Sequence, residues 1–261
     1  MKRRTFLATG AVSLSAVAGC LGGNDQPEGD PSQITPETDG YPPEGEFGEV
    51  PDERNIDTGS FGTAEQNGVQ VKLAPIEVAH YWYKRREARF ADARSEEAYG
   101  KSHIYGSVLS QASERRRGDD DPVVNWPKDD RIVCYCGCPH HLSGIRAAQL
   151  IENGYENVYV IDEGFWEWHG REYPMAGDEV DTTPEKWVIR GEVDAAYTGR
   201  DAWAHHRPSG QMEATDIADG GTYELHLKFH EVGSDSTIEV ETPEYTVEGK
   251  LKDLAAGTIR G

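Results

Sequence analysis

The chain has 261 residues, 36% of them apolar, with a mean hydropathy of −0.69 and a formal net charge of −21. That length holds one large domain or two small ones and buries a core without disulfide staples. The first twenty residues carry +3, so residues 21–261 carry −24; this acid excess argues against nucleic acid or an anionic membrane surface as a partner and describes a densely hydrated surface suited to high salt rather than a dedicated cation-binding one.

Residues 1–20, MKRRTFLATGAVSLSAVAGC, set a twin arginine (Arg3, Arg4) before an apolar stretch from Phe6 to Ala18. That stretch is too short to span a bilayer comfortably and has signal-peptide architecture. RRTFL followed by VAGC resembles a twin-arginine signal with a lipoprotein cleavage box. The resemblance implies cleavage before Cys20, a lipid on its thiol, and an extracytoplasmic protein anchored to the cell membrane; the plainer alternative is a signal with an incidental Cys20. Residues 21–60 are rich in Pro, Gly, Asp and Glu. They bury too little surface to fold alone and are expected to form a flexible acidic linker.

Over residues 65–178 strand and helix patterns alternate. PIEVAHYWYKRRE starts a helix at Pro75. ARFADAR is a strand, and SEEAYG a Ser-capped helical turn closed by Gly100. RIVCYC, apolar on both faces, is a central strand. SGIRAAQLIENGY is an amphipathic helix with Gly154 at its end, NVYVID the next strand, and GFWEWHG a helical turn. Such alternation predicts an α/β domain, a parallel sheet flanked by helices. Over residues 183–261 the texture changes to short alternating runs (KWVIRGEV, TYELHLKFHEV, STIEVETPEY, YTVEGKL), which predict a small all-β domain.

Three of the four cysteines stand on alternate residues in CYCGCPHH (Cys134, Cys136, Cys138). A catalytic thiol, a metal site and buried cysteines ending a strand all fit the spacing. FADARSEEAYGKSHIYGSV, RIVCYC, RAAQLIENGYENVYVIDEGFWEW and GREYPM, in that order, resemble the rhodanese family over residues 70–176. Asp92, Arg94, His103, Ile104, Gly106, Gly164 and Trp168 fill the family's positions. The resemblance implies that the RIVCYC strand delivers an active-site cysteine, which takes a sulfane sulfur from a small sulfur-containing anion and passes it to a thiol acceptor, in two half-reactions. No metal or other cofactor is expected.

A cysteine at the carboxyl end of a parallel strand, entering a tight loop before a helix, meets converging backbone N–H groups and the helix dipole, which favour thiolate. The amides from Gly137 through Pro139, His140, His141 and Leu142 to Ser143 are the expected substrate cradle. The family register at the strand end makes Cys136 the nucleophile; the register counted back from Ala147 makes it Cys138, because this loop is two residues longer than usual. Cys136 is therefore expected to carry the sulfur and Cys138 to assist or resolve it. A Cys136–Cys138 disulfide closes a strained, easily reduced ring. Cys134 is expected to be buried. Asp92 and Arg94 are expected to brace the fold near the pocket. Arg146, the nearest cation after the loop, lies in the following helix, which leaves thiosulfate poorly provided for. His140 or His141 could supply charge near neutral pH.

Two other readings stay open: a copper or zinc module built on the Cys and His cluster, and an inactive rhodanese scaffold. His103 is expected to pack and hydrogen-bond, and Trp166, Trp168 and Tyr173 to line core or pocket. His226, Lys228 and His230 are expected on a solvated strand face, and His205 and His206 in a loop.

Overall fold

Residues apolar on both faces of RIVCY can be buried only in a sheet covered on both sides, and that is where the segment lies. The computed structural model describes residues 39–44, 48–118 and 120–261. The expected signal, Cys20 and residues 21–38 fall outside the described residues. The chain runs through β1 (Gly62–Gln66), β2 (Val69–Ala74), α1 (Ile76–Lys84), β3 (Arg89–Asp92) and α2 (Glu96–Lys101). It continues with β4 (His103–Ile104), β5 (Val108–Leu109), β6 (Arg131–Tyr135), α3 (His141–Glu152), β7 (Asn157–Ile161), α4 (Phe165–Gly170) and β8 (Met175–Ala176). The main sheet has the order β1-β2-β7-β6-β3-β5. All its pairings are parallel except β1 with β2. The expected α/β class, a parallel sheet flanked by helices, holds.

The local causes are readable. Pro75 precedes the first residue of α1, where a missing N–H costs nothing. Ser95 Oγ accepts the Ala98 N–H at 3.3 Å and caps α2. Strand β1 was not legible from hydrophobicity, but Asn67 and Gly68 both have positive φ (52° and 82°), the chemistry of a tight hairpin turn. The two faces of β6 divide the core: Val133 and Tyr135 pack with Trp82, Phe90, Phe165 and Trp168, while Ile132 and Cys134 pack with Ala147, Ala148 and Leu150 of α3.

The C-terminal region adds β9 (Trp187–Glu192), β10 (Asp201–His206), β11 (Gln211–Asp216), β12 (Thr222–Leu227), β13 (Thr237–Glu241), β14 (Thr246–Lys250), the short α5 (Leu251–Leu254) and β15 (Thr258–Arg260). They form a sheet β11-β10-β13-β14 and a smaller one β12-β9-β15. Between them lies a core of Ile189, Ala202, Ala204, Leu225, Leu227, Ile238, Val240 and Leu251. Residues 36–261 gather into one compact unit, with α2 and α3 both packed against β11. Helix α3 is buried on nearly every side because the main sheet covers one face and β11 another. Among the described residues no helix is long and apolar enough to cross a membrane.

Three local expectations need correction. His205 and His206 are not in a loop; they end β10, which pairs with β11 through the Arg207–Gly210 turn. His230 is not on a solvated face but 2% exposed, its backbone N–H given to the Gln211 side chain at 2.8 Å. The described part of the linker is not free chain: Gly40 is buried and accepts the Phe90 N–H at 2.7 Å, and Tyr41 lies under the Arg89 guanidinium at 4.4 Å. Composition missed this because a single backbone bond and one aromatic–cation contact suffice to dock so short a segment.

Candidate active site

Strand β6 stops at Tyr135, and Cys136 is the first residue beyond its carboxyl end. Its carbonyl accepts the N–H of Phe165, the first residue of α4, at 2.8 Å. Gly164 makes this approach possible. Its φ of 78° and ψ of 179° are open essentially to glycine alone, and a Cβ there would sit 2.9 Å from the Cys138 carbonyl oxygen and 3.3 Å from that of Cys136. The loop then turns through Pro139 and a left-handed His140 (φ 44°) into α3.

The expected ring of inward amides is not what surrounds Cys136. Its Sγ lies 3.2 Å from the Ser143 hydroxyl and is hydrogen-bonded by the Ser143 backbone N–H and the Cys138 thiol. The Cys138 carbonyl also points inward, 3.1 Å from the sulfur. Part of the difference is plain: Pro139 has no N–H to give. Both protonation states are therefore served. The thiol donates to the Cys138 carbonyl, and the thiolate accepts from Ser143 and Cys138.

The two sulfurs are driven apart in acidity. Burial alone would push the Cys136 thiol up, but the hydrogen bonds from Cys138 and Ser143 outweigh it and the net direction is down. Cys138 moves well above the ordinary thiol value, through its bond to Cys136, its burial and the neighbouring Glu213 carboxyl. Of the two, Cys136 therefore ionises first and Cys138 keeps its proton longer. Cys134 is a structural residue, fully buried in the sheet core, where desolvation lifts its thiol to about 12.

Cys136 is 0% exposed, whereas Cys138 is partly open. Cys138 lines a cavity of about 330 Å³ together with Arg94, Trp166, Lys186, Glu213 and Lys228. Arg94 is braced as expected: its guanidinium takes both Asp92 oxygens (Nη2–Oδ2 2.7 Å) and the Ser102 carbonyl at 2.6 Å. It also lies 4.0 Å from the Phe165 ring. Lys228 stands 4.7 Å over the Trp166 ring. Burial and the nearby Lys186 lower its pKa. Among the described residues neither lysine has an ion-pair partner, an unusual state in a chain of net charge −21.

The rest of the expected cradle disperses. Gly137 and Pro139 do border the cavity. His140 Nε2 faces Asp162 at 3.7 Å. His141 lies between Asp201 (Nε2–Oδ1 3.3 Å) and Asp216 (Nδ1–Oδ2 3.5 Å). Burial works against its charge, but the two carboxylates prevail and raise it to about 10, so it is a cation that ties α3 to the β10–β11 hairpin. Its Nε2 makes no well-aligned hydrogen bond, and the attraction to Asp201 is mainly Coulombic. Leu142 and Ser143 are fully buried, Leu142 in an apolar cluster with Cys136. Arg146 turns away from the cavity, its Nη2 2.6 Å from Asp121 and its Nε on Ser110. His103 packs as expected, stacked on Tyr99 and bonded to that residue's carbonyl at 2.7 Å.

Among the described residues two groups could share an ion, His141 with Asp201 and Asp216, and His205 with Glu239 and Glu241. No cysteine belongs to either. Sequence reasoning missed Lys186, Lys228 and Glu213 as site residues. Lys228 sits just past a strand that was recognised, and Glu213 on a strand that was not. The turn residues Pro208, Ser209 and Gly210 between DAWAHH and QMEATD were the available signal.

Comparison with known proteins follows the same residues. The family profile of the rhodanese-like domain matches residues 79–171, from α1 to the end of α4. The thiosulfate sulfurtransferase GlpE of Pseudoalteromonas translucida is 34% identical over 90 residues, covering 32% of this chain and 75% of that protein. Among solved structures, the BH2092 protein from Bacillus halodurans aligns with a TM-score of 0.36 at 20% identity, over 41% of this chain and 77% of its own. The rhodanese-like domain of the Alr3790 protein from Anabaena aligns with a TM-score of 0.36 at 18% identity, over 43% and 84%. With its cysteine at the end of the central parallel strand and three quarters of a curated relative matched above 30% identity, the chain belongs to the rhodanese family.

Proposed function

We propose that the protein is a sulfurtransferase that carries sulfane sulfur as a persulfide on Cys136. The observation that carries this reading is the division of labour between the two loop cysteines: one favoured as the thiolate, the other keeping its proton longer and facing a cavity bordered by Lys186 and Lys228 as well as Glu163, Glu167 and Glu213. A thiolate is the competent nucleophile, so Cys136 and not Cys138 takes the sulfur. Rotation of the Cys138 side chain, a motion open to any partly exposed residue, opens the way from the cavity.

In the first half-reaction the Cys136 thiolate attacks the outer sulfur of an anionic donor such as thiosulfate. The donor S–S bond breaks with its electron pair leaving on sulfite, and the sulfane sulfur stays as Cys136–S–S⁻. In the second, a thiolate acceptor attacks the terminal sulfur and Cys136 leaves as thiolate. Neither step calls for a metal or an organic cofactor. The cations that the loop lacks come from Lys186 and Lys228, which offer a donor anion its counter-charges. Support for a copper or zinc module is weaker, because His140 and His141 each face aspartate rather than cysteine. An inactive scaffold leaves two unpaired lysines at the cavity unexplained. The proposal also includes an extracytoplasmic protein held to the cell membrane by lipid on Cys20, which rests on residues 1–20.

The test is to incubate the metal-stripped protein with thiosulfate or polysulfide and record its intact mass, where the gain of one sulfur atom is expected. Removing both lysines (Lys186→Ala with Lys228→Ala) is expected to raise KM for thiosulfate roughly tenfold with kcat nearly unchanged, the mark of lost ground-state binding. An unaltered KM counts against the cavity as the donor site, and bound metal without sulfur gain counts against the transferase.

A further inference from the structure

Glu213 is a carboxyl from the C-terminal β region placed against the reactive loop. It is 6% exposed. Its Oε1 lies 3.2 Å from Cys138 Sγ and accepts the Ala214 N–H at 3.1 Å. Among the described residues it has no ion-pair partner. Burying an acid without a cation is costly, and a merely structural position here is served as well by glutamine. The groups that face it are Cys138, His141 and Arg94, with Cys136 behind Cys138.

We infer that Glu213 is a catalytic acid–base residue of a second, hydrosulfide-releasing reaction in which Cys138 resolves the Cys136 persulfide. The inference rests on the persulfide reading above. Glu213 takes the proton of the Cys138 thiol as that sulfur attacks Cys136 Sγ. The bond from Cys136 Sγ to the outer sulfur breaks with its electron pair leaving on that sulfur. The same proton passes from Glu213 to that sulfur as the bond breaks, so that the leaving group is HS⁻ and not S²⁻. In sum, Cys136–S–S⁻ and Cys138–SH become a Cys136–Cys138 disulfide and HS⁻. The sulfane sulfur is reduced, the two cysteine sulfurs are oxidised, and Glu213 ends as it began. Two equivalents of a small thiol restore the dithiol and are themselves oxidised to a disulfide. Geometry favours the step, since Glu213 Oε1 lies 3.2 Å from the attacking Cys138 sulfur and the backbone of that same residue folds over Cys136, its carbonyl 3.1 Å from the Cys136 sulfur. Burial lifts Glu213 to about 7, so both of its protonation states are accessible near neutral pH. A donor-to-hydrosulfide activity of this kind needs no outside acceptor for its first turnover.

The experiment loads the full chain with thiosulfate or polysulfide, removes the donor, and follows intact mass and sulfide with no thiol present. The expected course is a gain of one sulfur, then its loss as one equivalent of sulfide, leaving a chain two hydrogens lighter than the reduced protein. Cys138→Ser is expected to gain sulfur and keep it. Glu213→Gln is expected to gain sulfur and release it at least roughly 100-fold more slowly. A wild-type persulfide that persists without thiol, or Glu213→Gln releasing sulfide at the wild-type rate, overturns the inference while leaving sulfur transfer standing. A chain that never gains sulfur overturns both.

Discussion

Cys136→Ser is expected to take up no sulfur and to lose about 10³-fold or more of its transfer rate. Serine keeps the size of the side chain and a proton to donate to the Cys138 carbonyl, which lies 3.1 Å from the sulfur it replaces. The fold should therefore survive, with a denaturant midpoint close to wild type. What is lost is acidity. The hydrogen bonds from Ser143 and Cys138 that favour a thiolate cannot bring a hydroxyl near ionisation at neutral pH. Cys134→Ala separates this from any general effect of cysteine loss. That residue is buried in the sheet core with its thiol pushed up to about 12, so its variant should be less stable yet still accept sulfur. Sulfur uptake by Cys136→Ser, seen as a mass gain on the intact chain, would transfer the carrier role to Cys138.

Gly164→Ala should have the second largest effect, and by a different route. The residue adopts φ 78° and ψ 179°, a region that costs a non-glycine residue about 1–3 kcal/mol. The added methyl would also stand 2.9 Å from the Cys138 carbonyl oxygen and 3.1 Å from its carbonyl carbon. That carbonyl belongs to backbone and cannot swing aside like a side-chain end. The reactive loop must shift, and a shift near 1 Å at a reacting group costs on the order of 100-fold in rate. Unfolding in denaturant together with single-turnover sulfur loading checks both parts. Wild-type loading in this variant would mean that the α4 approach does not set the position of the two cysteines.

The parallel sheet and its strand-end cysteine were legible because each is written locally. RIVCY is apolar on both faces, Pro75 and Ser95 mark helix starts, and Cys136 follows directly on a strand. The amide cradle was expected over Gly137 to Ser143 even though the loop was seen to be two residues longer than usual. A carbonyl and a serine hydroxyl stand in place of part of it. The strand of Glu213 could have been found from the Pro208–Gly210 turn, but nothing local singled out Glu213 among 47 acidic residues. Its place beside Cys138 comes from β11 packing on α3, a long-range contact with no trace in local pattern. His141 shows the same limit. In sequence it neighbours the cysteines, whereas in space it belongs to Asp201 and Asp216.

The most direct measurement is the single-turnover rate of sulfur loading from thiosulfate as a function of pH, with the modified cysteine located by peptide mass mapping. A lowered thiol pKa means that the thiolate already exists at lower pH. The rate should therefore climb to its plateau below the ordinary thiol range of about 8.5, with the sulfur on Cys136, and Ser143→Ala should move the rise to higher pH. A rise at or above that range, or sulfur first found on Cys138, would contradict a Cys136 thiolate as the carrier.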